Sequence, residues 1–513
     1  MKGFLNKFGI LILIAVVLLS GTFLFFEDSM GIFADVLGLK TIKKIDESGQ
    51  VLKIAYLFSP KDLNPFSGDS AVNSRLNDVY EGLVAVDENL GIRPALAVSY
   101  GMLTDKEWQL HLRDNVKFHN GKLLSAEDVI YSFKQASAIS DGAQSELNAT
   151  IEKFEKINDS TIRLITKNPD PLLLNKLSKL PIIPLDYAEF SKPIGTGPYK
   201  LVDASSLSDI DYKRNLDYWG EQPYFNEVRI SSIANKNDRV NSLVNGDINF
   251  LANVPPDSAL ELKASGLNIA IMPSLEVGFI MFNLNDTNFQ NKSLRVAVAK
   301  GLNKESFLDL AFGYAKTVNQ FVSNGVFGYN PDLLGYAYDQ KEAEQEISTL
   351  ISSFEKLKVD FYYPESLKLL GQYFKEQLIL IGLDVNLNAL NEADLQAKLA
   401  AQELPFYYLG WRSDSGDSIS FLKSVIHSKT GDYGTYNGMN YSNETVDKLI
   451  EKSETNLNQK ERLADLQTVM KTIVVDDVVG VPLFETESLF AYAKDIKYKP
   501  RVDSLIYPSN ISK

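Results

Sequence analysis

The residues with the clearest chemical potential follow an apolar run in the stretch LPFYYLGWRSDSGD, residues 404–417. The run Phe406–Trp411 is rich in β-forming residues and predicts a buried strand. It opens into Arg412 and Asp414. Charged residues directly after a buried strand lie at the edge of a core, which is where open α/β sheets bind ligands. Asp414 is therefore our candidate partner for a positively charged ligand group.

The same residues also allow a purely structural interpretation. Asp414 stands among Ser and Gly residues, where an acidic side chain often bonds its own backbone in a turn. Trp411 could pack in a core or form the wall of a ligand pocket, and Arg412 could be solvated surface. The residues alone leave both interpretations open.

The composition of the whole chain bounds the class of protein. The chain has 513 residues, 45% of them hydrophobic and 23% charged, which predicts two or three folded domains. A net charge of −14 argues against nucleic acid as a partner, because phosphates require a basic surface. The absence of cysteine excludes disulfides, thiolate zinc sites and cysteine catalysis. With only three histidines we expect no metal site, and we expect no cofactor.

The N-terminus predicts delivery across a membrane. Residues 1–8 contain Lys2 and Lys7, and Gly9–Phe26 follows without a charged residue. As a helix this segment would extend about 27 Å, enough for a bilayer core. The lysines would keep residues 1–8 in the cytoplasm. A cleaved signal peptide is the alternative. Both interpretations place the chain after Phe26 outside the cytoplasm, with residues 27–50 as a tether.

Alternating strand and helix patterns precede the candidate site. Val359–Tyr363 and residues 385–389 read as strands, and residues 367–381 carry a helical apolar stripe. Residues 393–401 read as a further helix, directly before the strand that leads to Asp414. This order is typical of an α/β sheet, so we expect such a sheet to position the candidate acid.

Two further segments carry strong local signals. In residues 96–133, alternation around Trp108 predicts a half-buried strand, and Ser125 with Asp128 forms a capping box that starts a helix. The segment Gly195-Thr-Gly-Pro-Tyr199 contains a Gly-x-Gly pair, which is found in phosphate loops. No helical pattern follows it, however, so a phosphate would find no helix dipole. We predict a tight turn between lobes there.

Several of these segments, taken in order, resemble the family 5 extracellular solute-binding proteins. These are the dipeptide-, oligopeptide- and nickel-binding receptors of ABC importers. The resemblance runs from about Val51 to the C-terminus. The segments that carry it are LNPF at 63–66, YEGLV at 80–84, WQLHLRDNVKFHNGKLLSAEDVIYSF at 108–133, GTGPYKL at 195–201, NGDIN at 245–249, FNLND at 282–286, LRVAVAKGLN at 294–303 and GWRSD at 410–414.

The resemblance implies a fold and a division into domains. The fold is an α/β, two-lobed periplasmic-binding-protein-like fold of class II with an extra inserted subdomain, here preceded by one N-terminal transmembrane helix. Binding would close the lobes by a hinge motion. The implied parts are a first lobe of residues 51–91, 195–279 and 484–513, an inserted subdomain of residues 92–194, and a second lobe of residues 280–483.

The resemblance also assigns ligand-binding residues. In the oligopeptide-binding members, the Asp of Gly-Trp-x-x-Asp pairs with the free α-amino group of the peptide, and the matching residue is Asp414. An ammonium enclosed without a partner would cost several kcal/mol. Around it, the resemblance implies that the backbone of residues 410–412 runs beside the peptide like an added strand. The residues implied to bind ligand are Asp414, Trp411, Gly410 and Arg412, with Gly68, Asp69 and Ser70 from a loop of the first lobe.

The implied function is that of a receptor rather than an enzyme. It would be a membrane-anchored, extracytoplasmic monomer that captures di- and oligopeptides and delivers them to an ABC permease. One alternative is the same fold with a nickel chelate, an oligosaccharide or a signalling peptide. Another is an extracellular hydrolase, but the sequence has no Gly-x-Ser-x-Gly elbow, and its base would have to be His111, His119 or His427.

This chain also departs from the family pattern. It has no N-terminal cysteine for a lipid, so the apolar segment would replace that anchor. Tyr408 stands where some oligopeptide receptors have a basic residue for the ligand carboxylate. How a ligand carboxylate would be held is therefore open, with Arg412 as one candidate.

Overall fold

The computed structural model describes residues 50–139, 142–187, 189–350 and 356–513. The predicted membrane segment Gly9–Phe26 and residues 27–49 of the predicted tether lie outside these ranges. Among the described residues, no helix is both long enough and apolar enough to cross a bilayer.

The described residues form a mixed α/β structure. The strands, in chain order, are β1 (Val51–Tyr56), β2 (Val84–Val86), β3 (Ile92–Pro94), β4 (Ala97–Met102), β5 (Glu107–Leu112), β6 (Ile151–Asn158), β7 (Thr161–Thr166), β8 (Tyr199–Ser206), β9 (Asp209–Arg214), β10 (Glu227–Ser232), β11 (Phe250–Leu251), β12 (Asn268–Phe282), β13 (Ala315–Thr317), β14 (Leu357–Pro364), β15 (Leu383–Leu390), β16 (Phe406–Arg412) and β17 (Gly480–Tyr492).

The helices connect these strands and cover the sheet faces. In chain order they are α1 (Ser70–Leu76), α2 (Ala126–Ala136), α3 (Gly142–Thr150), α4 (Leu173–Leu177), α5 (Lys236–Val244), α6 (Ala259–Ala264), α7 (Lys292–Gly301), α8 (Gln340–Leu350), α9 (Lys368–Leu380), α10 (Glu392–Ala400), α11 (Ile419–Phe421), α12 (Glu444–Thr455) and α13 (Gln459–Lys471).

One large sheet runs through the molecule in the order β15-β14-β16-β12-β17-β11-β1-β10-β9-β8, with β13 paired to β17. Near one end β10, β1 and β11 are parallel neighbours. At the other end β14 is parallel to both β15 and β16. The parallel groups follow from the strand–helix alternation of the chain, since parallel neighbours need a crossover between them. A separate antiparallel sheet has the order β4-β5-β7-β6.

Two long strands, β12 and β17, connect the two parallel groups. They pair antiparallel from Asn268 opposite Tyr492 to Met281 opposite Gly480. Toward one end of the pair Phe490 packs against Phe250 in the core around β1, and this core also includes residues of the β4-β5-β7-β6 sheet. Toward the other end, residues of β12 enter the cores around β14–β16. We call the half built on β1, β10 and β11 lobe I, and the half built on β14, β15 and β16 lobe II.

Local signals read from the sequence are confirmed where the chain is described. The predicted strand around Trp108 is β5, and the backbone N–H of Ser125 donates to Asp128 Oδ2 at 2.8 Å in the capping box that starts α2. The Gly-x-Gly segment allows two stretches of backbone to pack closely and does not form a phosphate loop. A Cβ on Gly195 would lie 2.0 Å from the carbonyl oxygen of Val79. Because Val79 belongs to the lobe I core, the prediction of a turn between lobes was wrong.

A buried ion pair fastens the loop that follows β16. Arg462 of α13 donates to Asp417 through both terminal nitrogens, at 2.6 and 2.9 Å, and both side chains are almost fully buried. Asp417 Oδ1 also accepts the N–H of Ile419 at 2.9 Å. The bidentate geometry orients the carboxylate as well as neutralising it. The ion pair therefore fixes the position of residues 413–417, which include Asp414.

We expect Arg462→Met to lower the free energy of unfolding by about 3–5 kcal/mol, because it leaves a buried carboxylate without its cation. Urea denaturation followed by circular dichroism measures this change. Lys448→Met is the control, since Lys448 forms an exposed ion pair with Glu444 of α12 and should cost less than about 0.5 kcal/mol. Equal losses in the two variants would contradict the structural role of the buried pair.

Candidate ligand-binding cleft

A cleft of about 2080 Å³ lies between the two lobes. Lobe I contributes Tyr56 and the chain after it, together with α1, and lobe II contributes the end of β16 and parts of α12. A smaller cavity of about 390 Å³ adjoins it and shares Leu90, Asn175 and Ser415 with it. The carboxyl ends of β1 and β16, one strand from each parallel group, thus meet at one cavity, and ligands bind at such strand ends in α/β proteins.

The structure brings most of the predicted ligand-binding residues to this cleft. Those that line it are Gly68 and Ser70 from lobe I, and Trp411, Arg412 and Asp414 from lobe II. The two groups are more than 300 residues apart in sequence and lie on opposite lobes.

Two other predicted residues do not line the cleft. Asp69 caps α1, and its Oδ1 accepts the N–H of Ala71 at 2.8 Å. Gly410 lies within the sheet opposite Gly278, and a Cβ there would meet Glu276 Oε1 at 3.1 Å.

The Asp414 carboxylate is accessible. Its side chain is 64% exposed, and Oδ1 lies 2.8 Å from Arg412 Nε. Among the described residues it accepts no backbone hydrogen bond, whereas its neighbour Asp417 does. The turn-forming acid of this loop is therefore Asp417, and Asp414 presents its charge to the cleft.

A second carboxylate shares the same cation. Glu276 of β12 stands opposite Arg412 in the β12–β16 register. Burial raises the pKa of Glu276, Arg412 opposes this rise, and the nearby Asp414 adds to it. Arg412 also donates to the backbone carbonyl of Asp503 in lobe I. Of the two acids near this guanidinium, Asp414 lines the cleft and Glu276 does not. Since Arg412 is already engaged, the exposed Asp414 makes this wall of the cleft favour a cation.

Trp411 packs against the lobe II core and also borders the cleft. Its ring packs edge-on against Phe421 at 5.9 Å and Tyr436 at 6.1 Å, so it is part of the lobe II core. It also lines the cleft. The rigid aromatic neighbours hold this wall in place.

Sequence reasoning missed an acidic centre on the lobe I side of the cleft. Glu81 accepts hydrogen bonds from Thr196 Oγ1 at 2.7 Å, Tyr218 OH at 3.0 Å and Trp219 Nε1 at 2.9 Å. Burial raises the pKa of Glu81 to about 7 despite these donors. The only sequence signal was an acid inside the short apolar segment YEGLV.

A second buried acid, Asp78, anchors the C-terminal segment to lobe I. It accepts the N–H and the hydroxyl of Ser509, each at 2.7 Å. Burial raises the pKa of Asp78 to about 6. Both Asp78 and Glu81 line the cleft, so the lobe I wall contains acids whose charge depends on pH near neutrality.

The three histidines are engaged elsewhere. His427 is buried in lobe II, with Nδ1 at 2.8 Å from Ser428 O and Nε2 at 3.2 Å from Glu451 Oε1. His119 contacts the Gly197 carbonyl, and His111 contacts Thr161. Among the described residues, none of the three rings is hydrogen-bonded to a serine hydroxyl, which is the contact that a Ser–His pair requires.

Comparison with known proteins decides the family. The model of bacterial extracellular solute-binding proteins, family 5 (Middle) matches residues 91–433, about two thirds of the chain. The chain belongs to this family. This match confirms the resemblance read from the sequence. The chain is a solute-binding protein of an extracytoplasmic family.

Individual relatives agree over most of their length. Heme-binding protein A of Haemophilus influenzae is 24% identical over 466 residues, covering 81% of this chain and 83% of that protein. Glutathione-binding protein GsiB of Escherichia coli (strain K12) is 22% identical over 455 residues, covering 85% and 88%.

Solved structures establish the fold of this solute-binding protein. HbpA2 of Haemophilus parasuis superposes with a TM-score of 0.81 at 19% identity, covering 90% of this chain and 99% of that chain. DppA of Helicobacter pylori, in complex with the peptide STSA, gives 0.75 at 24% identity, covering 90% and 98%. The predicted two-lobed, α/β periplasmic-binding-protein fold is confirmed.

We expect the contribution of Glu81 to the stability of this binding protein to fall as pH rises from about 5 to 7, whereas His119, whose pKa burial lowers to about 4, contributes a slope of the opposite sign. Glu81 ionises near 4.5 in the unfolded chain and about 7 in the folded one. Between these values the folded state binds more protons, so unfolding becomes easier with rising pH. The contribution of Glu81 is about 2–3 kcal/mol, and Asp78 adds a slope of the same sign.

Denaturant titration across this pH range measures the slope. Glu81→Gln should remove the falling contribution, so that stability falls less or rises more with pH than in the wild-type protein, because the amide does not titrate. Glu146→Gln is the control, since Glu146 is an exposed acid that also lines the cleft. An unchanged slope in Glu81→Gln would show that Glu81 titrates normally.

Proposed function

We propose that this chain is a peptide receptor that captures di- and oligopeptides between its lobes and delivers them to the permease of an ABC importer. One observation carries the proposal. The carboxylate of Asp414 is exposed in a cleft of about 2080 Å³, and its neighbour Arg412 is also under the influence of a second acid, Glu276. A free α-amino group enclosed there loses its hydration, and pairing with the Asp414 carboxylate compensates for that loss.

The size of the cleft favours a ligand longer than a single amino acid. Sites for small molecules have volumes of about 300–1,000 Å³. The cleft exceeds this range, and hinge closure would reduce it around a bound chain. The backbone at Trp411 and Arg412 pairs with β12 and borders the cleft. A peptide that adds to it as a further strand would gain affinity without selection of its side chains.

Relatives with peptide ligands support this assignment over the alternatives. DppA of Helicobacter pylori was solved with the peptide STSA, and AppA of Bacillus subtilis with a nonapeptide. Others were solved with metal complexes, as in NikZ of Campylobacter jejuni with Ni(L-His). Because the described residues contain no group of three or more metal-ligating side chains, a metal would have to enter as part of a chelate. The wall at Asp414 favours the peptide ammonium.

The proposal includes a domain division and a location. Residues 51–91, 195–279 and 484–513 form the first lobe, residues 92–194 an inserted subdomain and residues 280–483 the second lobe of a class II fold. Gly9–Phe26 anchors the chain in the membrane, with the cleft on the extracytoplasmic side. The receptor acts as a monomer and catalyses no reaction.

We expect Asp414→Asn to weaken binding of peptides with a free amine by about tenfold to a hundredfold, because the ammonium loses its charged partner. The substitution keeps the size of the side chain, so the fold should not change. Calorimetry with one mixture of synthetic short peptides, in free and N-acetylated form, measures the effect.

Asp432→Asn is the matched control, because Asp432 is another exposed acid that lines the cleft. It should leave the affinity for free peptides within about twofold. If the wild-type protein binds free and acetylated peptides equally well, Asp414 does not hold the amine. If peptides in both forms fail to bind while a metal chelate binds, the peptide assignment itself is wrong.

A further inference from the structure

Two arginines of lobe I line the cleft without a carboxylate partner. Arg75 of α1 and Arg239 of α5 are both buried, with 4% and 3% of their surface exposed. Among the described residues, neither guanidinium has an acidic oxygen within 4.0 Å. A buried cation without a counter-charge is costly, so such a pair requires an explanation.

The other basic residues that line the cleft are either paired or solvated. Those paired with carboxylates are Lys176, Lys236, Arg412, Lys423, Arg462 and Arg501. Within the described ranges, Arg93 and Lys179 have no such partner, but they are exposed to water. Arg75 and Arg239 differ from all of these because they are both buried and unneutralised.

Neutral groups hold the Arg75 side chain in a defined orientation. Its guanidinium carbon lies 3.5 Å from the centre of the Tyr56 ring, a stacked arrangement that fixes the plane of the group. Nη2 donates to the carbonyl of Phe58 at 2.6 Å, and Nη1 donates to Ser74 Oγ at 2.7 Å. Each terminal nitrogen has a second N–H, so the guanidinium retains donors beyond these two bonds.

Arg239 is held in a similar way at the adjacent strand end. Its Nη1 donates to the carbonyls of Ile233 at 2.7 Å and Ala234 at 3.2 Å. Its Nη2 makes no hydrogen bond to any described residue. The Nε atoms of Arg75 and Arg239 are both buried and also have no partner among the described residues. Burial lowers the pKa of both arginines, which reflects the cost of enclosing their charges.

The two arginines lie at the same edge of the sheet. Arg75 donates to a backbone carbonyl just after β1, and Arg239 donates to a backbone carbonyl just after β10. The strands β1 and β10 are parallel neighbours. Ser232 Oγ donates to the same Phe58 carbonyl that Arg75 binds, at 3.1 Å, which joins the two strand ends. This edge is the carboxyl end of a parallel group, where α/β proteins bind ligands.

Acidic side chains of the same region are already engaged. Asp69 caps α1 through the N–H of Ala71, and Asp78 accepts two hydrogen bonds from Ser509. On the opposite lobe, Arg412 is held by Asp414 and by the carbonyl of Asp503, so it is not free to receive an anion.

We propose that Arg75 and Arg239 form a subsite for a carboxylate of the bound peptide. The inference rests on the proposed peptide-binding function and names the part of the ligand that lobe I recognises. A carboxylate suits planar guanidinium donors. With Asp414 on lobe II, the subsite gives the cleft opposite charges on opposite lobes, matching the two charged ends of a free peptide. The carboxylate is that of the peptide C-terminus or of an acidic side chain.

The test compares peptides that differ only in their carboxylates. The probes are one mixture of synthetic short peptides with free C-termini, the same mixture as C-terminal amides, and both mixtures with a glutamate added. The full-length wild-type protein should bind free acids at least about tenfold more tightly than amides without glutamate, which is the worth of one charge-assisted hydrogen bond. If glutamate strengthens the binding of the amides and a free C-terminus does not strengthen binding, the subsite takes an acidic side chain of the peptide.

Substitutions then locate the preference. Arg75→Gln and Arg239→Gln should each reduce the preference for the carboxylate while leaving the affinity for amides unchanged, and Arg75→Lys should retain part of it. A purely structural arginine would weaken both probes equally. Arg295→Gln is the matched control, because Arg295 is buried, its hydrogen bonds to described residues all go to backbone carbonyls, and it does not line the cleft.

The outcomes separate this inference from the proposed function. Equal binding of all four probes by the wild-type protein, with and without glutamate, would overturn the subsite and leave peptide binding intact. A carboxylate preference that survives in the Arg75→Gln/Arg239→Gln double variant would do the same. If no peptide binds, glutarate serves as a carboxylate probe without an amine. Glutarate binding that is lost in Arg75→Gln would keep the subsite and reject the peptide, and no glutarate binding would reject both.

Discussion

The antiparallel pairing of β12 with β17 is the constraint on which the rest of the structure depends. The two strands pass between separate hydrophobic cores, so their backbone hydrogen bonds join the lobes. The register shift between Pro273 and Val277 bends this ladder where the chain leaves one lobe for the other. Because β16 pairs directly with β12, the strand that carries the candidate site is bonded to the connecting strand itself.

Small residues at this junction allow the close packing that it needs. Gly278 of β12 faces Gly410 of β16, and a Cβ on Gly278 would lie 2.3 Å from the hydroxyl of Tyr408. The same register sets Arg412 opposite Glu276 and directs the chain toward Asp414. Position in the sheet, rather than local sequence, thus determines which charges meet at the cleft.

The charges of the cleft are distributed unequally between the lobes. Lobe II presents acids around a base that is already engaged, and lobe I presents two buried bases beside acids that are already hydrogen-bonded. Each lobe therefore bears part of the cost of enclosing charge in the absence of ligand. A ligand with one positive and one negative end would relieve both costs at once, and that relief would favour closure of the lobes.

The sequence by itself determined the local elements and the family. The strand Phe406–Arg412 and the capping box at Ser125 depend on side chains close in the chain, so periodicity and spacing were enough to predict them. The tertiary structure alone decided the role of Glu81 and the pairing of Asp417 with Arg462, because their partners come from distant segments. It likewise separated Arg75 and Arg239 from the other bases of the cleft. Whether a charged side chain is neutralised depends on which distant groups burial brings near it, and no local pattern encodes that.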